Sequence, residues 1–266
     1  MIRRRLDTEL VRRGLARSRS EASDLVASGA VLVGGALATK PDRLVAASEA
    51  VAVVGEGCRY VGRGGNKLDG ALRRFGVVVA GRWALDVGSS TGGFTDCLLQ
   101  WGAARVVACD VGRHQLHERL RSDPRVVVLE ETDVRELDPS LCGGPFGLVV
   151  ADVSFISLRL LAPVLVTRHT AEGGDLLVLL KPQFEAGPKE ASRGRGVIRD
   201  PAIWRRVLLE VAGAFRARGA SLLGAMPASP RGAEGNVEFF LWFRRGPAEQ
   251  TVGEGWVDEV VSEVAG

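Results

Sequence analysis

The chain has 266 residues, 46% of them hydrophobic, with 35 basic against 32 acidic side chains, enough to bury one large core or a small core beside a medium one. Apolar runs such as 175–180 fall far short of the roughly 18 residues a bilayer span needs, and the start, Met1-Ile2-Arg3-Arg4-Arg5-Leu6-Asp7, lacks the apolar stretch of a secretory leader. These features exclude a membrane-spanning helix and predict a cytoplasmic protein. Cys58, Cys97, Cys109 and Cys142 form no C-x-x-C pair, and His114 and His117, three apart on an expected helix, lack a third ligand, so neither a disulfide framework nor a metal site is expected.

The net charge of +3 sits entirely in residues 1–60, which hold ten Lys or Arg against seven Asp or Glu; the remainder balances at 25 and 25. Arg3, Arg4, Arg5, Arg12, Arg13, Arg17 and Arg19 cluster at the very start, a pattern that suits phosphate binding and equally a solvated helix face. Leu6, Leu10, Val11 and Leu15 recur at helical spacing up to Gly14. Ser18-Arg19-Ser20-Glu21 has the form of a capping box and opens a second helix, with a stop at Ser28-Gly29. Short strands are predicted at 31–33 and 50–54, so residues 1–58 read as a compact α+β unit. Residues 59–62, within a glycine-rich stretch running from Gly55 to Gly65, read as the linker.

From residue 63 to 246, strand-like runs alternate with helical ones: 83–87, 105–110, 126–129, 148–152, 175–180, 221–226 and 237–242. This predicts an α/β doubly wound sheet of seven strands whose last pair is an antiparallel hairpin, followed by a helical tail over 247–266. In such sheets ligands sit beyond the carboxyl ends of the strands. The first strand ends at Asp86 and runs into Gly88-Ser89-Ser90-Thr91-Gly92-Gly93-Phe94-Thr95-Asp96. Glycines there permit a tight turn close to a ligand, yet the spacing is neither a P-loop nor G-x-G-x-x-G. A small-residue turn beside an acidic strand end suits S-adenosylmethionine better than a dinucleotide or a triphosphate. Asp110 ends the second strand, where it is placed to accept from a ribose diol or to cap a helix; Asp133 follows the third and is placed to meet an adenine amino group or to sit in a surface loop.

Asp152 and Lys181 end the fourth and fifth strands, and Glu238 lies in an otherwise apolar run where an unpaired carboxylate is costly, so it requires a cationic partner. Lys67, just beyond Arg63-Gly64-Gly65, is a candidate for the same face. Separate surface salt bridges are the competing reading of these four residues.

The order Lys67, Asp152, Lys181, Glu238 resembles the Lys-Asp-Lys-Glu tetrad of FtsJ-like ribose 2′-O-methyltransferases. Arg63-Gly64-Gly65-Asn66-Lys67-Leu68, the Gly88–Asp96 turn, Asp152-Val153-Ser154-Phe155-Ile156, Lys181-Pro182-Gln183-Phe184 and Asn236-Val237-Glu238 together resemble the TlyA family, in which an S4 RNA-binding domain precedes the methyltransferase. Ser89 stands where many members have Ala. The resemblance implies that Asp86, Gly88, Ser89, Ser90, Thr91, Gly92, Gly93 and Phe94 surround the methionine part of S-adenosylmethionine, with Asp152 at the same site, Asp110 at the ribose and Asp133 at the adenine. It implies a cytidine ribose of ribosomal RNA as substrate, within ribosomal subunits, and Arg3, Arg4, Arg5, Arg12, Arg17 and Arg19 as RNA contacts; the sequence leaves the oligomeric state open, a monomer being favoured. Methyl transfer also requires removal of the ribose 2′-hydroxyl proton; Lys181 is the candidate, either as base or only to orient the hydroxyl, since a lysine is a poor base at neutral pH unless nearby positive charge favours its neutral form.

Overall fold

The computed structural model describes residues 3–27, 29–53, 59–194, 196–232 and 235–265, so residues 54–58, the end of the expected α+β unit with Cys58, lie outside it. The chain divides into two compact units, residues 1–63 and 64–266.

In the first unit, β1 (Arg3–Arg5), α1 (Leu6–Arg12), α2 (Arg19–Ala27), β2 (Val31–Val33), β3 (Ala36–Leu37), β4 (Leu44–Ala46) and β5 (Val51–Val53) follow in order. Strands β3, β2 and β5 form one antiparallel sheet, and β1 pairs antiparallel with β4. Leu6, Leu10, Ala22, Leu25, Val26, Val31, Val33 and Val45 make its core. Strand β1 was not expected: three exposed arginines show no alternation, and the backbone pairing with Leu44–Ala46 alone makes it a strand. Ser18 caps α2 by accepting from the Glu21 amide at 3.2 Å, but the Glu21 carboxylate turns to the Arg17 amide and guanidinium instead of closing a reciprocal box.

The second unit holds a sheet of seven strands among the described residues: β6 (Trp83–Val87), β7 (Arg105–Cys109), β8 (Val126–Leu129), β9 (Phe146–Ala151), β10 (Thr170–Leu180), β11 (Ala220–Pro227) and β12 (Phe239–Arg245), in the order β11-β12-β10-β9-β6-β7-β8. Strands β6 to β10 run parallel, as the alternation of elements predicts. The last two strands do pair antiparallel, yet β12 is not at the edge: it inserts between β10 and β11 and is antiparallel to both. Helix α3 (Arg63–Phe75) precedes the sheet and takes Gly64 and Gly65 into its first turn, where the sequence reading has breakers. The remaining helices are α4 (Gly93–Gln100), α5 (Glu118–Arg121), α6 (Leu158–Val164), α7 (Pro182–Glu185), α8 (Pro188–Arg193), α9 (Pro201–Arg216) and α10 (Trp256–Ala265). Helix α10 seats Trp256, Val257 and Val260 in the same core as Val207, Val211 and Leu241, so the C-terminal tail is part of this unit's packing. His114 and His117 share no helix: His114 lies in a bend with φ +52°, and His117 caps α5 by accepting from the Arg119 amide.

Candidate active site

A cavity of about 440 Å³ opens at the carboxyl ends of β6, β7 and β9, where the parallel-sheet rule places it. Gly88, Ser90, Asp110, Asp133 and Asp152 line it together with the apolar Val87, Val111, Val134, Ile156 and Leu161. A side chain at Gly88 would fall on the Asp152 carbonyl, and φ there is +80°, so only glycine lets β6 and β9 approach so closely. Asp110 accepts from the Ser90 amide at 2.8 Å and the Gly112 amide at 2.7 Å, which fixes its carboxylate at the lip while each oxygen keeps a lone pair free. Asp133 is held by Arg135 and sits below the usual carboxylate range because that guanidinium bonds it.

The other turn residues shape the cavity from behind. Ser89 accepts from the Gly92 amide at 2.7 Å, Thr91 accepts from His117, and a side chain at Gly92 would strike Leu120 and Leu116. Gly93 opens α4, and Phe94 is buried against Phe240, with ring centres 5.9 Å apart. Asp86 lies fully buried beneath the turn, accepting from Thr95 Oγ1 at 2.6 Å; its other oxygen has no partner, and burial pushes its carboxyl up to about 7.

Strand register assembles the four charged residues. Leu180 faces Phe239 across β10 and β12, which sets Lys181 beside Glu238 one step beyond each strand end. Val87 and Val178 both neighbour Ala151, which brings Asp152 to the same rim. Two ion pairs result: Lys67 donates to Glu238 at 2.6 Å, and Lys181 meets Asp152 at 2.6 Å while donating to Ser154 Oγ at 2.9 Å. Gly64, in the first turn of the helix that carries Lys67, lies close to Phe94 and to the Asp152 carboxylate. Glu238 thus has the cationic partner its burial demands, although it sits just ahead of β12 and not inside it. The four form two largely buried ion pairs at neighbouring strand ends, not exposed surface bridges.

A family model for FtsJ-like methyltransferases matches residues 60–245, and one for the S4 domain matches residues 4–51. A Mycobacterium tuberculosis protein named 16S/23S rRNA (cytidine-2′-O)-methyltransferase TlyA is 49% identical over 91% of this chain and 90% of its own length. The chain belongs to the TlyA family of FtsJ-like methyltransferases. A Campylobacter jejuni relative named 23S rRNA (cytidine-2′-O)-methyltransferase TlyA is 35% identical over 69% of the chain and 70% of its own. The solved structure of a putative hemolysin from Streptococcus thermophilus superposes with a TM-score of 0.77 at 36% identity, covering 99% of this chain and 96% of that one. Among the described residues of the methyltransferase, no helix is long and apolar enough to cross a membrane.

In the S4 domain of this methyltransferase, the arginines are organised by two buried acids. Asp7 binds Arg5 and Arg19, and Glu9 binds Arg12, Arg13 and, at 4.0 Å, Arg4. Arg5 and its neighbours hold the Asp7 carboxyl well below its ordinary range. Arg13 is committed inward, to the carbonyls of Ala47 and Glu49, whereas Arg3, Arg4, Arg5, Arg12, Arg17 and Arg19 remain exposed.

Several contributors were assigned no role from the sequence. Glu130 accepts from the amides of His114, Gln115 and Leu116, and Arg121 with these amides lowers its carboxyl to about 2; it thereby fixes the loop that brings Gln115 to the cavity. Asn236, 2% exposed, bonds the Gly196 carbonyl and the Ile198 amide two residues before Glu238. Phe155, 92% exposed at φ +65°, stands at the cavity rim beside Phe184. Glu130 had only its place next to a strand end as a signal, whereas Phe155 and Asn236 stand within the motifs that carry the family resemblance.

Two tests arise directly. Gly88→Ala is expected to lower stability by at least about 1–2 kcal/mol from the left-handed backbone alone and to weaken cofactor binding, read by thermal melting and calorimetric titration. Asp86 stays protonated in the folded state to about pH 7 but ionises near pH 4 when unfolded. Native stability therefore falls as pH rises from about 4 to 7 and levels above that, by up to about 4 kcal/mol. Asp86→Asn is expected to match the parent near pH 4 and to melt higher at pH 8; equal melting temperatures at both would refute the linkage.

Proposed function

We propose that the chain transfers a methyl group from S-adenosylmethionine to the ribose 2′-oxygen of cytidine in ribosomal RNA, within ribosomal subunits of both sizes. Residues 1–58 serve as the RNA-binding domain, 59–62 as the linker and 63–246 as the catalytic domain. The observation that carries this reading is the ion pair of Lys181 with Asp152, which together with Ser154 lines the cavity, and the Lys67–Glu238 pair that the β10–β12 register sets beside it. The relative named for both 16S and 23S rRNA is 49% identical, against 35% for the one named for 23S alone, which favours two substrates.

The cavity fits the cofactor: its volume is in the range of small-molecule sites, its floor is apolar, and three carboxylates converge on it. When bound, S-adenosylmethionine supplies a sulfonium-activated methyl group. Asp110 is placed for the ribose diol and Asp133 for the adenine amino group, while Gly88 and Ser90 give backbone access to the methionine part. Lys181 Nζ, once it has released its own proton to solvent and become a neutral amine, is the group that takes the 2′-hydroxyl proton as the new bond forms, and Asp152 and Ser154 fix its position. Lys67 and Glu238 form the second, more deeply buried ion pair beside it. The exposed arginines of the S4 domain grip phosphates and carry no sequence information themselves.

The test is transfer of labelled methyl from S-adenosylmethionine to unmodified small and large ribosomal subunits, with Lys181→Ala as control and the product ribose mapped. Label on a cytidine 2′-oxygen that vanishes in the variant supports the reading. Unlabelled subunits in the presence of a protein that binds the cofactor would end it.

A further inference from the structure

We infer that Glu185 is a positioning residue for the Lys181–Asp152 pair: its buried carboxylate latches the loop after β9 to the helical turn that begins at Lys181. The inference rests on the catalytic reading of that pair. Glu185 closes α7, four residues after Lys181, and is only 3% exposed. Both its oxygens reach across to the other catalytic strand end. Oε2 accepts from Ser157 Oγ at 2.5 Å and meets Arg159 Nε at 3.3 Å, and Oε1 accepts from the Leu158 amide at 2.7 Å. Arg159 completes the link by donating to the Glu185 carbonyl at 3.1 Å.

The segment so fixed is short and under tension. Between Asp152 and Ser157 it carries Ser154, which receives the Lys181 ammonium, and Phe155, a non-glycine residue in the left-handed region. A conformation of that kind is unfavourable and persists only where the surroundings over-determine it. Asp152 is tied on its own side by its amide bond to the Val87 carbonyl, and Glu185 ties the far end. Since Lys181 precedes Pro182 at the start of the same turn, one carboxylate sets the separation of Lys181 from both Asp152 and Ser154. Helix capping of α6 alone would need one bond; Ser157 already supplies it by accepting from the Arg159 amide.

The test compares Glu185→Ala with Glu185→Gln in the full chain. Gln keeps an acceptor for the Leu158 amide and a group for Ser157. Two readouts are taken on the folded fraction: kcat and KM for ribosomal subunits, and the pH dependence with which Lys181 is acetylated by trace acetic anhydride, scored by peptide mass spectrometry. Glu185→Ala is expected to lower kcat on the order of 10²-fold with KM little changed. It is also expected to change the Lys181 labelling curve from the parent's as Asp152 drifts from the ammonium. Glu185→Gln should restore most of both. A Glu185→Ala protein with parental kcat and a parental labelling curve would reduce Glu185 to a helix cap and overturn the inference. Were the labelling shift seen in a protein whose parent methylates no subunit, the latch would stand and the substrate reading would fall.

Discussion

Replacement of Lys181 by Arg is expected to lower methyl transfer by about 10²–10⁴-fold while leaving cofactor affinity near that of the parent. Arginine can keep the contact to Asp152 and the donation to Ser154, so position and charge survive. What it lacks is a neutral form, because a guanidinium does not give up its proton in a protein. Single-turnover rates measured between roughly pH 6 and 9 separate the two roles. A rate that climbs with pH in the parent and is lost in the variant assigns proton removal to Lys181. A variant that works within tenfold of the parent would leave Lys181 only the task of orienting the hydroxyl.

The second large effect concerns the Lys67–Glu238 pair, whose side chains are 10% and 5% exposed. Glu238→Leu alone or Lys67→Met alone strands a buried charge and is expected to cost about 3–5 kcal/mol, which for a domain of this size lowers the melting temperature by roughly 10 °C. The double variant removes both charges and is expected to recover most of that stability while staying inactive. The cycle is measured by denaturant melts and methyl transfer on the same preparations. A double variant that methylates as the parent does would make the pair a structural strut and nothing more.

The parallel core of this fold is legible because β6 to β9 are short continuous apolar runs with turn residues between them, the pattern of strands buried on both faces. The site residues are legible for a related reason: a charge placed directly after such a run, as at Asp110, Asp152 and Lys181, has to emerge at the carboxyl edge. Glu238 was found through the cost of burying it, and its partner followed. Other features depend on contacts distant in sequence. Strand β1 is made by backbone bonds to residues some forty positions away, the place of β12 by which strand edges are open, and the roles of Glu130 and Glu185 by loops that meet only in the folded chain. Gly64 and Gly65 misled because the sequence cannot distinguish a glycine that breaks a helix from one that lets a phenylalanine approach it.

The insertion of β12 between β10 and β11 bears on synthesis and damage. A chain emerging residue by residue has its cofactor cavity lined by position 161, yet the partner of Lys67 and the strand that joins β11 to the sheet arrive only after 237. Until then β10 presents an open edge and β11 has nothing to pair with. A premature stop or a proteolytic cut between Leu161 and Val237 therefore does not yield a weaker enzyme. It leaves a fragment that keeps every residue lining the cavity, lacks Glu238, and exposes an unpaired strand edge prone to stick to its own kind.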